Sequence, residues 1–208
     1  MTRKELFFHL LEKELKEYGF KYLKSKNKFV KRSNSGDYII DFNIWPSFIQ
    51  VEANLKIVIK QIEDIKKKAW GKEYIKNISV GRQKSYLIEN PEEAISWTDN
   101  ESNIRYSVKK EIEFYINYGK QYFEERSNIS KLNQILNINP GNELYVAYNP
   151  YQTIYLAIIV AKLDNHPKLL ELYNIYREII GKRKPSFLGK YDKLVNHLES
   201  HYPDSPSL

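Results

Sequence analysis

The 208-residue sequence places chemistry-bearing side chains together in only a few stretches. One is residues 37–60, DYIIDFNIWPSFIQVEANLKIVIK. Folding it as a hairpin about Pro46 and Ser47 sets Asp41 opposite Glu52, with Asn43, Gln50, Asn54 and Lys56 on the same face. Two neighbouring carboxylates with a lysine nearby are the equipment of metal-dependent nucleases: acids hold a divalent ion and lysine stabilises developing charge. The spacing departs from acid-x-lysine, because Ala53 and Asn54 follow Glu52 and Lys56 comes two residues late. The plainer expectation is a neutralising lysine from the next strand, Lys28 or Lys31, since opposed carboxylates on a ladder repel.

His197 and His201 sit four apart on an expected helix, a spacing that lets both face one metal. Glu199 points elsewhere and no third ligand is evident, so no metal site is assigned. Lys21, Lys24, Lys26, Lys28, Lys31 and Arg32 form a basic run interleaved with Tyr22 and Phe29. Cations with aromatic rings suit single-stranded nucleic acid. Lysines on edge strands equally serve to block edge-to-edge pairing. Glu89, Glu92, Glu93, Asp99 and Glu101 form an acidic stretch with no basic residue between Ser85 and Ile104. It would complement a basic protein partner, or stand as a solvated loop. Tyr145, Tyr148, Tyr151 and Tyr155 crowd the start of an apolar helix, as partner anchors or as packing between two parts of the chain. No phosphate-cradling glycine loop and no G-x-S-x-G is present.

Composition narrows the class without choosing a partner. Hydrophobic residues make up 42% and charged residues 28%, values of a folded globular chain. There is no cysteine, which removes disulfides and thiol chemistry. The N-terminus is charged throughout and lacks the apolar centre of a signal peptide, and no apolar run is long enough to span a bilayer, so a cytoplasmic, membrane-free protein is expected. The net charge of +7 is compatible with nucleic acid or an acidic partner. No cofactor is expected.

These residues must be held by an α+β fold. Thr2 and Glu5 form a capping box, Leu6, Phe7, Leu10, Leu11, Leu15 and Tyr18 a helical stripe, and Gly19 a stop, giving a helix over about 3–18. Residues 20–23 and 28–32 read as short strands. In the hairpin, Ile40, Phe42 and Ile44 alternate with polar residues. Past the tip Ile49, Val51, Ala53, Leu55, Ile57 and Ile59 do the same, so each arm has one apolar face. Pairing of Ile44 with Ile49 and Phe42 with Val51 joins the two apolar faces. A short helix with a lysine-rich exposed face is expected over 62–70, edge strands over 78–80 and 85–88, and a loop over 90–100. A long helix over 103–126 then covers the sheet. Past a boundary in 127–150, which carries a short helix near 132–136, comes an αα-hairpin that looks like one tetratricopeptide unit. Its first helix, 154–163, is apolar all round and therefore central. A last helix follows over 188–202. The expected organisation is a sheet domain over 1–130, a helical subdomain over 140–202 and a disordered tail over 203–208.

The first helix ending in EYGFKYLKSKNKFVKR, the hairpin strands, the tryptophan in ISWTD and the long helix ending in YINYGKQYFEE resemble an uncharacterised bacterial domain family. Domains of similar look occur among immunity proteins of bacterial toxin systems. The resemblance covers about two thirds of the chain and implies no catalytic residues. The expected function is a non-catalytic protein-binding module, an immunity protein against a toxin, with Glu89, Glu92, Glu93, Asp99, Glu101, Tyr148 and Tyr151 toward the partner. Nucleic-acid binding through Lys21–Arg32 is the alternative, and a metal-dependent nuclease on Asp41 and Glu52 the more distant one.

Overall fold

The computed structural model describes residues 1–45, 50–74, 78–142 and 150–202. In chain order these form α1 (Arg3–Lys16), β1 (Lys21–Leu23), β2 (Lys28–Arg32), β3 (Gly36–Ile44), β4 (Gln50–Ile59), α2 (Lys60–Trp70), β5 (Val80–Gln83), β6 (Ser96–Trp97), α3 (Glu101–Phe114), a π-turn (Tyr115–Gly119), α4 (Lys120–Ser127), α5 (Ile129–Asn137), α6 (Pro150–Leu163), α7 (Leu169–Arg183) and α8 (Leu188–His201). The class is α+β with an antiparallel sheet in the order β1-β2-β3-β4-β5, and β6 pairs with the start of β4. Two compact units are present: Met1–Ile57 with Gly81–Glu124, and Val58–Val80 with Glu125–Leu208. The helical unit therefore includes α2, which the sequence alone places with the sheet. The tail over 203–208 and the hairpin tip at Pro46 and Ser47 lie outside the described residues.

In the sheet unit α1 starts on the expected capping box. The Glu5 N–H donates to Thr2 Oγ1 and the Thr2 N–H donates to the Glu5 carboxylate. It stops at Gly19, whose φ of +83° favours glycine, with the Phe20 N–H donating to the Leu15 carbonyl and the Gly19 N–H to that of Lys16. The buried stripe is Phe7, Phe8, Leu11 and Leu15, rotated toward Phe8 from the expected one. Phe8 stacks on Tyr22 at 5.2 Å, and Phe7 and Phe8 meet Phe42 edge-on at 5.5 and 5.8 Å. These contacts fix the apolar sheet face as the one that carries Tyr22, Phe29 and Phe42. Each large ring buried there contributes roughly 1.5–3 kcal/mol.

α3 packs along α1 and against β6. The π-turn inserts into the otherwise continuous helix and places Tyr115 against Tyr18 and Phe20. Gly119 is required there, because a Cβ would stand 2.8 Å from the Tyr115 ring. Phe123 then stacks on Tyr38 at 5.0 Å.

The hairpin arms carry the expected faces but not the expected register. The Trp45 N–H donates to the Gln50 carbonyl, Asn54 donates to Asn43 across the strands, and Lys56 pairs with Asp41. Gln50 thus stands against Trp45, where Asn43 was expected, and the side chains of Asp41 and Asn43 bond to Lys56 and Asn54. Sliding one arm by an even number of residues leaves every side chain on its face, so alternation cannot distinguish these pairings. Three further expectations change: the strand expected over 78–80 is β5, Val80–Gln83; the strand expected over 85–88 gives way to a 3₁₀ turn over Lys84–Tyr86; and the loop over 90–100 contains β6.

In the helical unit α6 is central, as its all-round apolarity predicts; Thr153 through Lys162 are buried and α2, α5, α7 and α8 pack on it. The expected lysine-rich face of α2 is only partly exposed, because Lys66 is buried and pairs with Glu63. Glu63 also accepts from the Tyr74 and Ser79 hydroxyls. No helix among the described residues is long and apolar enough to cross a membrane.

Candidate functional site

β6 inverts the usual pattern of an edge strand. Ala94, Ser96 and Thr98 point inward and are buried, while Ile95, Trp97 and Asp99 point outward. The inward set is held by short polar bonds. Ser96 Oγ donates to Glu111 Oε1 at 2.6 Å, and Ser107 Oγ donates to the Trp97 carbonyl at 2.6 Å. Glu111 in turn pairs with Lys84 at 2.9 Å in a buried ion pair. The strand is therefore anchored through its small polar residues, and its large apolar ones face solvent.

The result, on the sheet unit, is a groove lined by the exposed rings of Trp97 and Tyr106 together with Glu93. Trp97 is 54% exposed, Tyr106 61% and Tyr86 65%. Scattered exposed apolar residues are ordinary; several large rings at one place mark contact surfaces. The expected partner-binding acids Glu89, Glu92, Glu93, Asp99 and Glu101 are all exposed. Three have local partners: Asn90 donates to Glu93, Asn103 to Asp99, and Arg105 pairs with Glu101. The Asn103 hydrogen bond, first among its causes, holds the Asp99 carboxyl below its ordinary pKa. A groove of 460 Å³ lies between Glu93, Ile95, Trp97, Asn103, Tyr106 and Lys110. Two cations of the unit already rest on tyrosine faces, Arg82 on Tyr86 at 5.1 Å and Lys110 on Tyr106 at 5.7 Å.

The other expected partner residues lie elsewhere. Tyr151 is half-buried and stacks on Phe187 at 4.7 Å in the helical unit. Tyr148, with Tyr145, lies outside the described residues. Nothing in the sequence marks Trp97, Tyr106, Tyr86 or Ile95 as facing a partner. The alternation I-S-W-T at 95–98 was available, but nothing in it says which face meets solvent.

The basic run is divided by its own strands. The register pairs Lys21 with Val30, Tyr22 with Phe29, Lys28 with Asp41 and Arg32 with Asp37. Tyr22 and Phe29 thus share the face that packs on Phe8, opposite Lys28 and Arg32. Lys21, Lys24, Lys26 and Arg32 are exposed, and Lys28 and Lys31 half-buried. Of the rings that would stack bases, Phe29 is turned into the core and Tyr22 is half-buried against Phe8.

Asp41 and Glu52 each have a partner of their own. Lys56 pairs with Asp41, where Lys28 or Lys31 was expected, and the Ser85 N–H donates to Glu52 Oε1 at 3.0 Å. Lys28 stands directly across from Asp41 on β2. Asp41→Asn should therefore lower stability by no more than about 1 kcal/mol, since the amide keeps an acceptor for Lys56. Mg²⁺ or Mn²⁺ should leave the calorimetric melting temperature unchanged. A rise with either ion that disappears in Asp41→Asn would put an ion in the place of the lysine.

His197 and His201 stack at 4.3 Å, and His201 Nδ1 lies 3.1 Å from the His197 carbonyl oxygen. Burial first, then His201 and Lys68, lower the His197 pKa. No group of three or more His, Cys, Asp or Glu able to hold a metal occurs among the described residues. Comparison with family models, curated proteins and solved structures found no match.

Proposed function

We propose that this chain is a non-catalytic binding protein that neutralises a partner protein with a basic surface, as an immunity protein neutralises a toxin. One observation carries the reading: the outward Trp97 and Ile95 on a strand whose inward residues are small and polar. A strand with no partner to meet gains nothing from that arrangement, since apolar area left in water forgoes roughly 25 cal/mol per Å². Glu93 in the same groove, and the exposed carboxylates of the 89–101 stretch, favour a cationic partner and speed its approach. The first two thirds of the chain resemble an uncharacterised bacterial domain family, and domains of similar look occur among immunity proteins, which points the same way.

The test is co-expression with the toxic domain encoded beside this chain. Growth should be restored, with a one-to-one complex of about nanomolar Kd. A chain that leaves such a toxin fully active, or a gene neighbourhood without any toxin-like domain, overturns the reading.

A further inference from the structure

We propose that the groove beside β6 takes one arginine side chain from a basic segment of the partner, its guanidinium stacked on the Trp97 ring and paired with the Glu93 carboxylate. The inference rests on the protein-binding reading above and names the chemistry of its anchor. The groove holds 460 Å³, room for a whole side chain, and is lined by the exposed rings of Trp97 and Tyr106 and by Glu93. A planar cation that stacks on rings and pairs with a carboxylate is a guanidinium; an ammonium does the second but stacks poorly.

The unit already shows the groove's preference. Lys110 Nζ lies over the Tyr106 ring and 3.5 Å from Glu113. Tyr106 first, then Glu113 and more weakly Glu93, raise the pKa of this exposed lysine. The site therefore favours positive charge. Lys110 occupies the Tyr106 side, while no cation is placed over Trp97 among the described contacts. Lys110 is thus a resident competitor for the same negative wall.

The experiment uses the full chain and two short capped peptides, Gly-Gly-Arg-Gly-Gly and its citrulline counterpart, with the Trp97 indole N–H followed by NMR. The arginine peptide should shift this resonance saturably, and the uncharged citrulline peptide should not. Trp97→Ala, read at the Ile95 and Asn103 amides, should weaken binding about tenfold, and Tyr106→Ala less. Lys110→Met should strengthen it about threefold, a gain that no loss of structure would produce. Both rings are exposed, so the variants keep the wild-type melting temperature. Absence of a saturable shift, equal binding of citrulline, or an unchanged affinity in Trp97→Ala overturns the proposal. Toxin neutralisation is measured in parallel. Neutralisation that Trp97→Ala leaves intact sinks the arginine anchor alone; an arginine response without neutralisation sinks the immunity reading alone.

Discussion

Glu111→Leu is expected to cost the sheet unit about 3–5 kcal/mol, the range for removing one partner of a buried ion pair. The side chains of Lys84 and Glu111 are 5% and 2% exposed. Without the carboxylate, the Lys84 ammonium keeps, among the described residues, the Phe114 ring 5.4 Å away, and Ser96 loses its acceptor. Lys84→Met should be comparably damaging, because Glu111 Oε2 is already buried without a partner. The double variant should recover most of the loss, since well-packed apolar pairs replace buried ion pairs at little cost. Urea unfolding of the four proteins gives the cycle directly. A Glu111→Leu protein within about 1 kcal/mol of wild type would show that water reaches the pair. The pair also supports the proposed binding surface, because Ser96, the neighbour of Trp97, donates to Glu111.

The second large effect is expected in alkali. Tyr155, Tyr176 and Tyr191 are essentially fully buried in the helical unit. Burial is the leading cause that raises each of their pKa values well beyond that of a free tyrosine. In the sheet unit, burial pushes Tyr115 up to about 12. The sign follows from proton counting. The folded pKa is raised, so the stabilisation is fully present below the unfolded pKa of about 10 and falls as pH rises above it. Each buried tyrosine then removes about 1.4 kcal/mol per pH unit, and the three of the helical unit together about 4 kcal/mol per unit. That exceeds the margin of an ordinary domain within two or three pH units. Helical circular dichroism should collapse between about pH 10 and 12, with tyrosinate absorbance rising in the same step. Gradual ionisation of all tyrosines while the helices persist would contradict it.

What could be read from the sequence follows from what repeats. Capping at Thr2 and Glu5, the stop at Gly19, the two faces of the hairpin and the central place of α6 all rest on short-range chemistry or a strict period. The hairpin register did not follow, because Gln50 lies on the same face whether it stands against Asn43 or Trp45. The split of the basic run was present in the alternation of Lys21, Tyr22 and Leu23, yet charge density along the chain masks which face each residue takes. The exposed acidic stretch was legible because charged loops stay in water. The outward Trp97 was not, since an outward tryptophan and a core tryptophan look alike in one dimension. The Lys84–Glu111 pair was equally hidden: two residues typical of surfaces, 27 positions apart, meet in the interior.

The π-turn at Tyr115–Gly119 works as a phase shifter in the long helix. A wider turn holds one residue more than an α-turn, so everything after it is rotated by about 100° from where an unbroken helix would leave it. Upstream of the turn, the helix is phased for α1 and β6; downstream, it is phased to lay Phe123 on Tyr38. One continuous rod thereby addresses two surfaces that no single stripe could serve. Loss of a single residue between 115 and 119 would restore regular geometry locally and misdirect the whole following segment. The length of this stretch is thus under tighter constraint than the identity of its exposed members, Ile116 and Tyr118.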